Sequence, residues 1–188
     1  MAGEGALQPH IALNLFGSFI LNMTRLKCLL KRAYFWLLVG VLTQPVIAQP
    51  SEQEALAVLA GFFDALSVEN YPSDEMDRWI AADFMIFEMG QAFSWPDFQA
   101  FLSSAGYGNW LSTDWQFSDI KVSLDEHSAH LSYVNTGQFI YPDVSDPSLT
   151  MREDNVWLES VYLIQEEGDL KIRFLQSDNI SRQVTALP

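Results

Sequence analysis

The chain has 188 residues, a length that suits one ordinary domain or at most two small ones. Acidic residues outnumber basic ones by 24 to 10, which gives a formal net charge of −14, and apolar residues make up 49%. This composition excludes a disordered chain and argues against nucleic acid or an anionic membrane surface as the main partner. A single cysteine excludes a disulfide framework within the chain and a multi-cysteine zinc site.

The N-terminal segment has the features of a secretory signal peptide. Four of the ten basic residues precede an apolar run over residues 33–42, and Pro45 follows that run. Val46 and Ala48 fit the −3 and −1 positions of a cleavage site, which predicts cleavage before Gln49. The alternative is an uncleaved membrane anchor, but the apolar run is shorter than the roughly 20 residues that span a bilayer.

If this segment is a signal peptide, translation is expected to start at Met23, and residues 1–22 would result from a gene model that begins too early. We expect residues 1–48 to be discarded, leaving a periplasmic or secreted protein with no stable membrane association. The remaining residues, 49–188, contain no cysteine, and their six basic and 23 acidic residues give a net charge of −17. They show no repeat or linker, so they are predicted to form a single domain.

Three helices are predicted in the first half of this domain. Ser51 and Glu54 form a capping box, and the apolar residues after it recur at helical spacing. A short helix is expected after Ser73. Ser94 is predicted to cap a third helix, with Pro96 in its first turn.

Strand patterns precede and follow the third helix. A strand is predicted over residues 83–89, and from residue 114 onward the apolar side chains alternate with period two. The phase of this alternation changes between Phe117 and Ile120, which predicts a bulge. Three further strands are expected, over 129–141, 156–165 and 170–177.

Helices followed by a run of antiparallel strands predict an α+β domain with the helices on one face of a curved sheet. The strand over 156–165 is apolar on both faces, so its outer face requires a second cover. A partner subunit is the economical candidate for that cover. We therefore expect a homodimer through the outer sheet face.

The domain resembles the nuclear transport factor 2-like superfamily, also called SnoaL-like or cystatin-like, over residues 51–182. The resemblance is carried by the helical opening, by residues 82–91 with the short helix 95–102, and by the closing hairpin 157–177. It implies an exported bacterial member with a cone-shaped, curved antiparallel sheet and about three N-terminal helices on its concave face. The superfamily contains isomerases, dehydratases, oligomerisation domains and members without assigned activity, so the fold leaves function open.

The resemblance also implies a cavity between the helices and the sheet, where enzymes of the superfamily place an acid or base. Glu88 shares strand parity with Phe84 and Ile86, so it faces the cavity if they face the core. Burial would then raise the pKa of Glu88 and suit it to general acid or base catalysis. The alternative orientation leaves Glu88 solvated and turns inward Met85, Phe87 and Met89.

Two tyrosines and a set of aromatic rings are the other candidate site residues. Tyr133 and Tyr162 lie on predicted strands and are candidate hydrogen-bond donors to a bound carbonyl or enolate, although buried tyrosines more often satisfy their hydroxyl within the core. A cavity lined by aromatic rings suits a flat hydrophobic small molecule; alternatively, the rings are simply the core. The candidate pocket residues are Phe63, Trp79, Phe84, Trp110, Trp115 and Phe174.

No cofactor or metal site is predicted. The polar segment 142–154 is predicted to be a loop, and its acidic residues lack the ligand spacing of a calcium loop. His127 and His130 are expected to be solvated, and Asp64 is expected on the polar side of the first helix. The sequence also lacks a phosphate-binding glycine loop and a nucleophile elbow.

Three functions remain open. The first is an exported protein that binds a small apolar ligand without catalysis. The second is a cofactor-independent lyase or isomerase with Glu88 as general base, and the third is a structural dimerisation module. The first is favoured because no second polar partner clearly accompanies Glu88.

Overall fold

The computed structural model describes residues 49–188. The predicted signal peptide, including the expected start at Met23, lies outside the described residues. The helices are α1 (Glu52–Leu66), α2 (Met76–Trp79) and α3 (Trp95–Ser104), and a 3-10 turn (Tyr107–Asn109) follows α3. The strands are β1 (Ile80–Glu88), β2 (Gln91–Ser94), β3 (Ser112–Leu124), β4 (Ser128–Pro142), β5 (Thr150–Glu166) and β6 (Asp169–Leu187).

Both predicted helix starts are confirmed by their caps. The Glu54 N–H donates to Ser51 Oγ at 3.2 Å, and the Ser51 N–H donates to Glu54 Oε2 at 2.8 Å. At α3, the Asp97 N–H donates to Ser94 Oγ, and a proline occupies the first turn. These contacts satisfy N–H groups that have no partner within the helix, which is why the helices begin at these residues.

The six strands form one open, curved sheet in the order β2-β1-β6-β5-β4-β3. The predicted α+β class, with three helices and a curved sheet, is confirmed. The sheet is mixed, however, and not wholly antiparallel, because β1 enters it beside β6 and runs parallel to that last strand. The short strand β2 was not predicted; it pairs with β1 across a tight turn in which Met89 and Gly90 both have positive φ.

The later strands are longer than the sequence pattern indicates. The predicted bulge is confirmed by a register shift between Ser118 and Lys121. The predicted loop 142–154 is shorter, because β5 begins at Thr150 and only residues 143–149 connect it to β4. Strand β6 continues to Leu187, well past the expected end at residue 177, and its whole length pairs with β5.

The core lies between α1 and the inward face of the sheet. Its most fully buried large apolar side chains come from α1 and from strands β4, β5 and β6: Leu59, Phe62, Leu131, Val161, Leu163, Ile172 and Leu175. Among residues 49–188, no helix is long and apolar enough to cross a membrane. The core fills one end of the inward sheet face, and the remainder of that face borders a cavity.

Candidate functional site

A cavity of about 960 Å³ lies between α1, α3 and the inward face of the sheet. Much of its wall is aromatic, with rings contributed by Phe63, Trp110, Trp115, Phe139 and Trp157. The rings of Trp115 and Phe139 lie 4.9 Å apart, and Trp110 stacks on Tyr141 at 5.1 Å. These rings come from α1, from three strands and from the α3–β3 connection, and the contacts among them hold the wall in place.

Polar side chains from β1, β5 and β6 form another part of the lining, here called the polar cluster: Glu88, Glu153, Asn155, Glu159, Ser177, Asn179 and Arg182. Alternation along β5 explains why so many polar groups are inside. Glu153, Asn155 and Glu159 share strand parity with the buried Trp157 and Val161. Because successive side chains of a strand point to opposite faces, all of these residues face inward together.

Glu159 is buried, with 7% of its surface exposed, and only uncharged groups donate hydrogen bonds to it. The Ser177 hydroxyl donates to Oε1 at 2.9 Å, and Asn135 Nδ2 donates to Oε2 at 3.1 Å. Burial raises the pKa of Glu159 to about 7, and the nearby charge of Glu88 acts in the same direction against these hydrogen bonds. Glu159 is therefore able to gain or lose a proton near neutral pH.

Glu88 lies at the end of β1, half-buried in the cavity lining. The inward positions of β1 belong to Phe84, Ile86 and Glu88, while Met85 and Phe87 are exposed on the outer face. Burial raises the pKa of Glu88, opposed by a hydrogen bond with Ser177 and reinforced by the charge of Asp178. Ser177 thus contacts two carboxylates of the polar cluster. The catalytic role of Glu88 stays a prediction.

The structure separates the two candidate tyrosines. Tyr133 is buried beside Glu159, whose charge adds to the effect of burial in raising the pKa of Tyr133. Its hydroxyl nevertheless has no hydrogen bond of good geometry among the described residues. Tyr162 is 40% exposed on the outer face of β5, because Val161 and Leu163 take the inward positions. It therefore cannot reach a molecule in the cavity, contrary to the sequence-based expectation.

The aromatic candidates divide equally. Phe63, Trp110 and Trp115 line the cavity, as the sequence predicts. The other three do not line it: Phe84 is buried in the core between Phe62 and Trp95, Trp79 packs over Gly61 of α1, and Phe174 contacts Phe87 on the outer face. Phe174 shares the parity of the buried Ile172, but a bulge at Arg173 reverses the alternation and turns Phe174 outward.

The other residues considered in the sequence analysis either make local hydrogen bonds or are exposed. Glu153 lies within β5, where Arg182 donates two hydrogen bonds to it, at 2.8 and 2.9 Å. Burial works to raise the pKa of Glu153, but hydrogen bonds from Arg182, Asn155 and Tyr141 outweigh it and lower that pKa. His127, His130 and Asp64 are exposed. Within residues 49–188, no group of three or more His, Cys, Asp or Glu is arranged to hold a metal ion.

Solved structures of other proteins have a similar fold. A candidate scytalone dehydratase from Novosphingobium aromaticivorans is 10% identical, with a TM-score of 0.54, over 70% of this chain and 85% of its own. A Caulobacter vibrioides protein with a cystatin-like fold is 12% identical, with a TM-score of 0.50, over 69% and 89%. The association domain of C. elegans CaMKII is 16% identical, with a TM-score of 0.51, over 68% and 94%.

The chain has the nuclear transport factor 2-like fold. No protein-family model matches the sequence, and no curated protein matches it. At these identities the likeness establishes the fold, and the activity named for each solved structure remains a property of that protein.

In this nuclear transport factor 2-like cone, the sequence interpretation missed most of the polar cluster. The expectation that no polar partner accompanies Glu88 is wrong, because Glu159 and Ser177 do so. The signal was present: Glu159 shares the parity of Trp157 and Val161, and Asn135 shares that of Leu131 and Tyr133. The parity argument that places Glu88 inside applies equally to these residues.

The raised pKa of Glu159 predicts a pH-dependent stability. The folded state keeps a proton with a pKa of about 7 that the unfolded state releases with its ordinary value of 4.5. Stability therefore falls as pH rises between these values, by about 3 kcal/mol in total. We expect Glu159→Gln to abolish this loss, so that the variant matches wild type below about pH 4.5 and is more stable above about pH 7.

Urea unfolding across this pH range measures the effect. Glu126→Gln, in the exposed β3–β4 turn, is the matched control and should leave the pH profile of wild type unchanged. Parallel stability curves for wild type and Glu159→Gln would show that Glu159 has no raised pKa.

Proposed function

We propose that the domain binds a small, mainly apolar molecule in the cone cavity. The observation that carries this proposal is the cavity itself, whose volume of about 960 Å³ lies within the range of small-molecule sites. Its lining combines a broad aromatic wall with a few convergent polar groups, as such sites commonly do. A solid core would have filled this space with side chains, since protein interiors are otherwise packed to high density.

The lining offers a ligand specific polar contacts as well as apolar area. Asn155, Ser177 and Asn179 contribute amide and hydroxyl groups to the lining. Glu88 and Glu159 supply carboxylate oxygens elsewhere in the same lining.

Naphthylmethanol is a suitable neutral probe, because it carries a flat apolar body and one hydroxyl. We expect wild type to bind it and Trp110→Leu to bind it about tenfold more weakly, since the ring removed is part of the wall. Isothermal titration calorimetry gives both affinities.

Trp95→Leu is the matched control for this experiment. Trp95 is also a half-buried tryptophan, and it is not part of the cavity lining; its ring contacts Phe84 and Phe98. Its substitution should therefore change the affinity little. Equal weakening by both substitutions, or no binding by wild type, contradicts the proposal.

We further propose that the domain forms a homodimer through the outer sheet face. Large apolar side chains are 40–49% exposed there, on β1 and β5, the two strands that flank β6: Met85, Phe87, Leu158 and Tyr162. An apolar face of this kind is typical of a surface that a partner covers. The similarity to the CaMKII association domain is compatible with self-association.

Leu158→Lys tests the dimer directly. We expect wild type to have the mass of a dimer at micromolar concentration and Leu158→Lys to be monomeric, because a charge would be buried at the interface. Val144→Lys introduces the same charge in the β4–β5 loop, where Val144 is 92% exposed, and should leave the dimer intact. Light scattering after size exclusion measures the masses, and a monomeric wild type rejects the proposal.

Export is also part of the proposed function. It is supported by the basic and apolar segments before Gln49 and by the strongly acidic composition of residues 49–188. Intact-mass measurement of the protein from its own cells is expected to give a chain that begins at Gln49. A mass that includes residues 23–48 would support the retained anchor instead.

A further inference from the structure

We propose that the ligand of the cavity is an organic cation, a protonated amine held by Glu88 and Glu159 with its apolar body against the aromatic wall. This inference rests on the proposed function, because it names the chemical class of the molecule that the cavity binds. It follows from the charge balance of the lining, from the spare acceptor capacity of the Glu88 and Glu159 carboxylates, and from the position of the aromatic rings.

The charge balance of the lining is strongly negative. Its acidic residues are Glu88, Asp143, Glu153 and Glu159, whereas Arg182 is its one basic residue within the described part of the chain. Arg182 is already occupied, because it makes two hydrogen bonds to Glu153. Glu88 and Glu159 are therefore left without a positive partner in the lining.

Basic residues elsewhere in the sheet do not supply this charge. Lys171 pairs with Glu166 at 3.6 Å, and Arg173 pairs with Asp83. Two neighbouring carboxylates in a cavity repel each other unless a proton or a cation lies between them. In the free protein a proton meets this requirement, consistent with the raised pKa values of Glu88 and Glu159. A bound ammonium group would take its place.

The hydrogen bonds around Glu159 leave its carboxylate with spare acceptor capacity. Ser177 and Asn135 each donate one hydrogen bond to it, and the Tyr133 hydroxyl is buried beside it. Glu88 adds further carboxylate oxygens to the same lining. Because a carboxylate has about four acceptor sites, these two residues can accept more hydrogen bonds than their neighbours donate, and the cluster is short of donors. An ammonium group carries three N–H donors and no acceptor, so it complements this deficit, whereas an anion would increase it.

The aromatic wall adjoins the same carboxylates. Trp157 lies two residues from Glu159 on the inward face of β5, and its ring is 5.9 Å from the rings of both Trp115 and Phe139. Aromatic faces carry partial negative charge and attract a cation. A bare metal ion is the weaker candidate, since no three-ligand group is present among the described residues. Together these features favour a cation with an apolar body.

Three probes of nearly equal shape test the charge requirement: naphthylmethylamine, naphthylmethanol and naphthoate. We expect wild type at about pH 8, where Glu159 is ionised, to bind the amine at least about tenfold more tightly than the alcohol. Naphthoate should show no binding. Glu88→Gln and Glu159→Gln should each reduce the affinity for the amine to near that for the alcohol, while the affinity for the alcohol changes by less than about twofold.

The controls separate failure of this inference from failure of the proposed function. Glu126→Gln removes an exposed carboxylate outside the cavity and should keep the amine preference, and circular dichroism checks that each variant is folded. If Glu159→Gln does not fold, Glu88→Gln at the half-buried end of β1 decides the result. Equal affinity for amine and alcohol in wild type, or a preference that survives both substitutions, overturns the cation while leaving the binding cavity. Absence of binding by all three probes overturns both.

Discussion

The inward face of β5 is sheltered along most of its length, and the residues on that face change from apolar to polar. At Val161 and Leu163 the face belongs to the solid core below α1. From Glu159 back to Glu153 the same face borders the cavity instead. Because a strand exposes alternate residues, these polar side chains cannot leave the interior unless the whole strand turns over and exposes its core residues. The apolar end of β5 therefore enforces burial of its polar end.

Enforced burial has a different outcome for the two inward glutamates of β5. Glu153 is bound by a guanidinium, so its carboxylate stays charged and its pKa is lowered. Glu159 receives hydrogen bonds only from neutral groups and has a charged neighbour in Glu88, so its pKa rises to about 7. The charges of Glu153 and Arg182 neutralise each other, so this pair can have a purely structural role. Glu159 leaves a charge requirement unmet, and such groups are candidates for function.

The sequence correctly predicted those structural features that are determined by residues close together in the chain. The capping box at Ser51 and Glu54 marked the start of α1, and the change of phase after Phe117 marked a bulge that the structure confirms. Strand β2 escaped prediction because its four residues are too few to show a period. The end of β6 escaped it because residues 178–186 are all exposed, so no alternation of apolar and polar residues marks them as a strand. Their strand structure comes from pairing with β5.

Prediction of the site residues required knowing which face of each strand is covered. Glu88 was placed correctly because it alternates in phase with Phe84. The same test, applied to the polar residues of the later strands, would also have placed Glu159 and Asn135 on the inward face. Tyr162 was misplaced because a strand apolar on both faces does not reveal which face is covered, and Phe174 was misplaced because a bulge at Arg173 reverses the alternation of its strand. Only the packing of α1 on one side of the sheet makes that choice.

A second bulge in β6, at Ile180, places Arg182 in the site, and alternation within a single strand does not reveal it. Glu159 pairs with Ser177 and Trp157 with Asn179, but Asn155 pairs with Arg182, so Ile180 is an extra residue in β6. If the same residues alternated without a bulge, Arg182 would share the parity of the exposed Asp178 and point outward. Glu153 would then be buried without a cation, like Glu159. The bulge thus brings a cation to the first carboxylate, whereas no other basic residue among residues 49–188 lines the cavity beside the second.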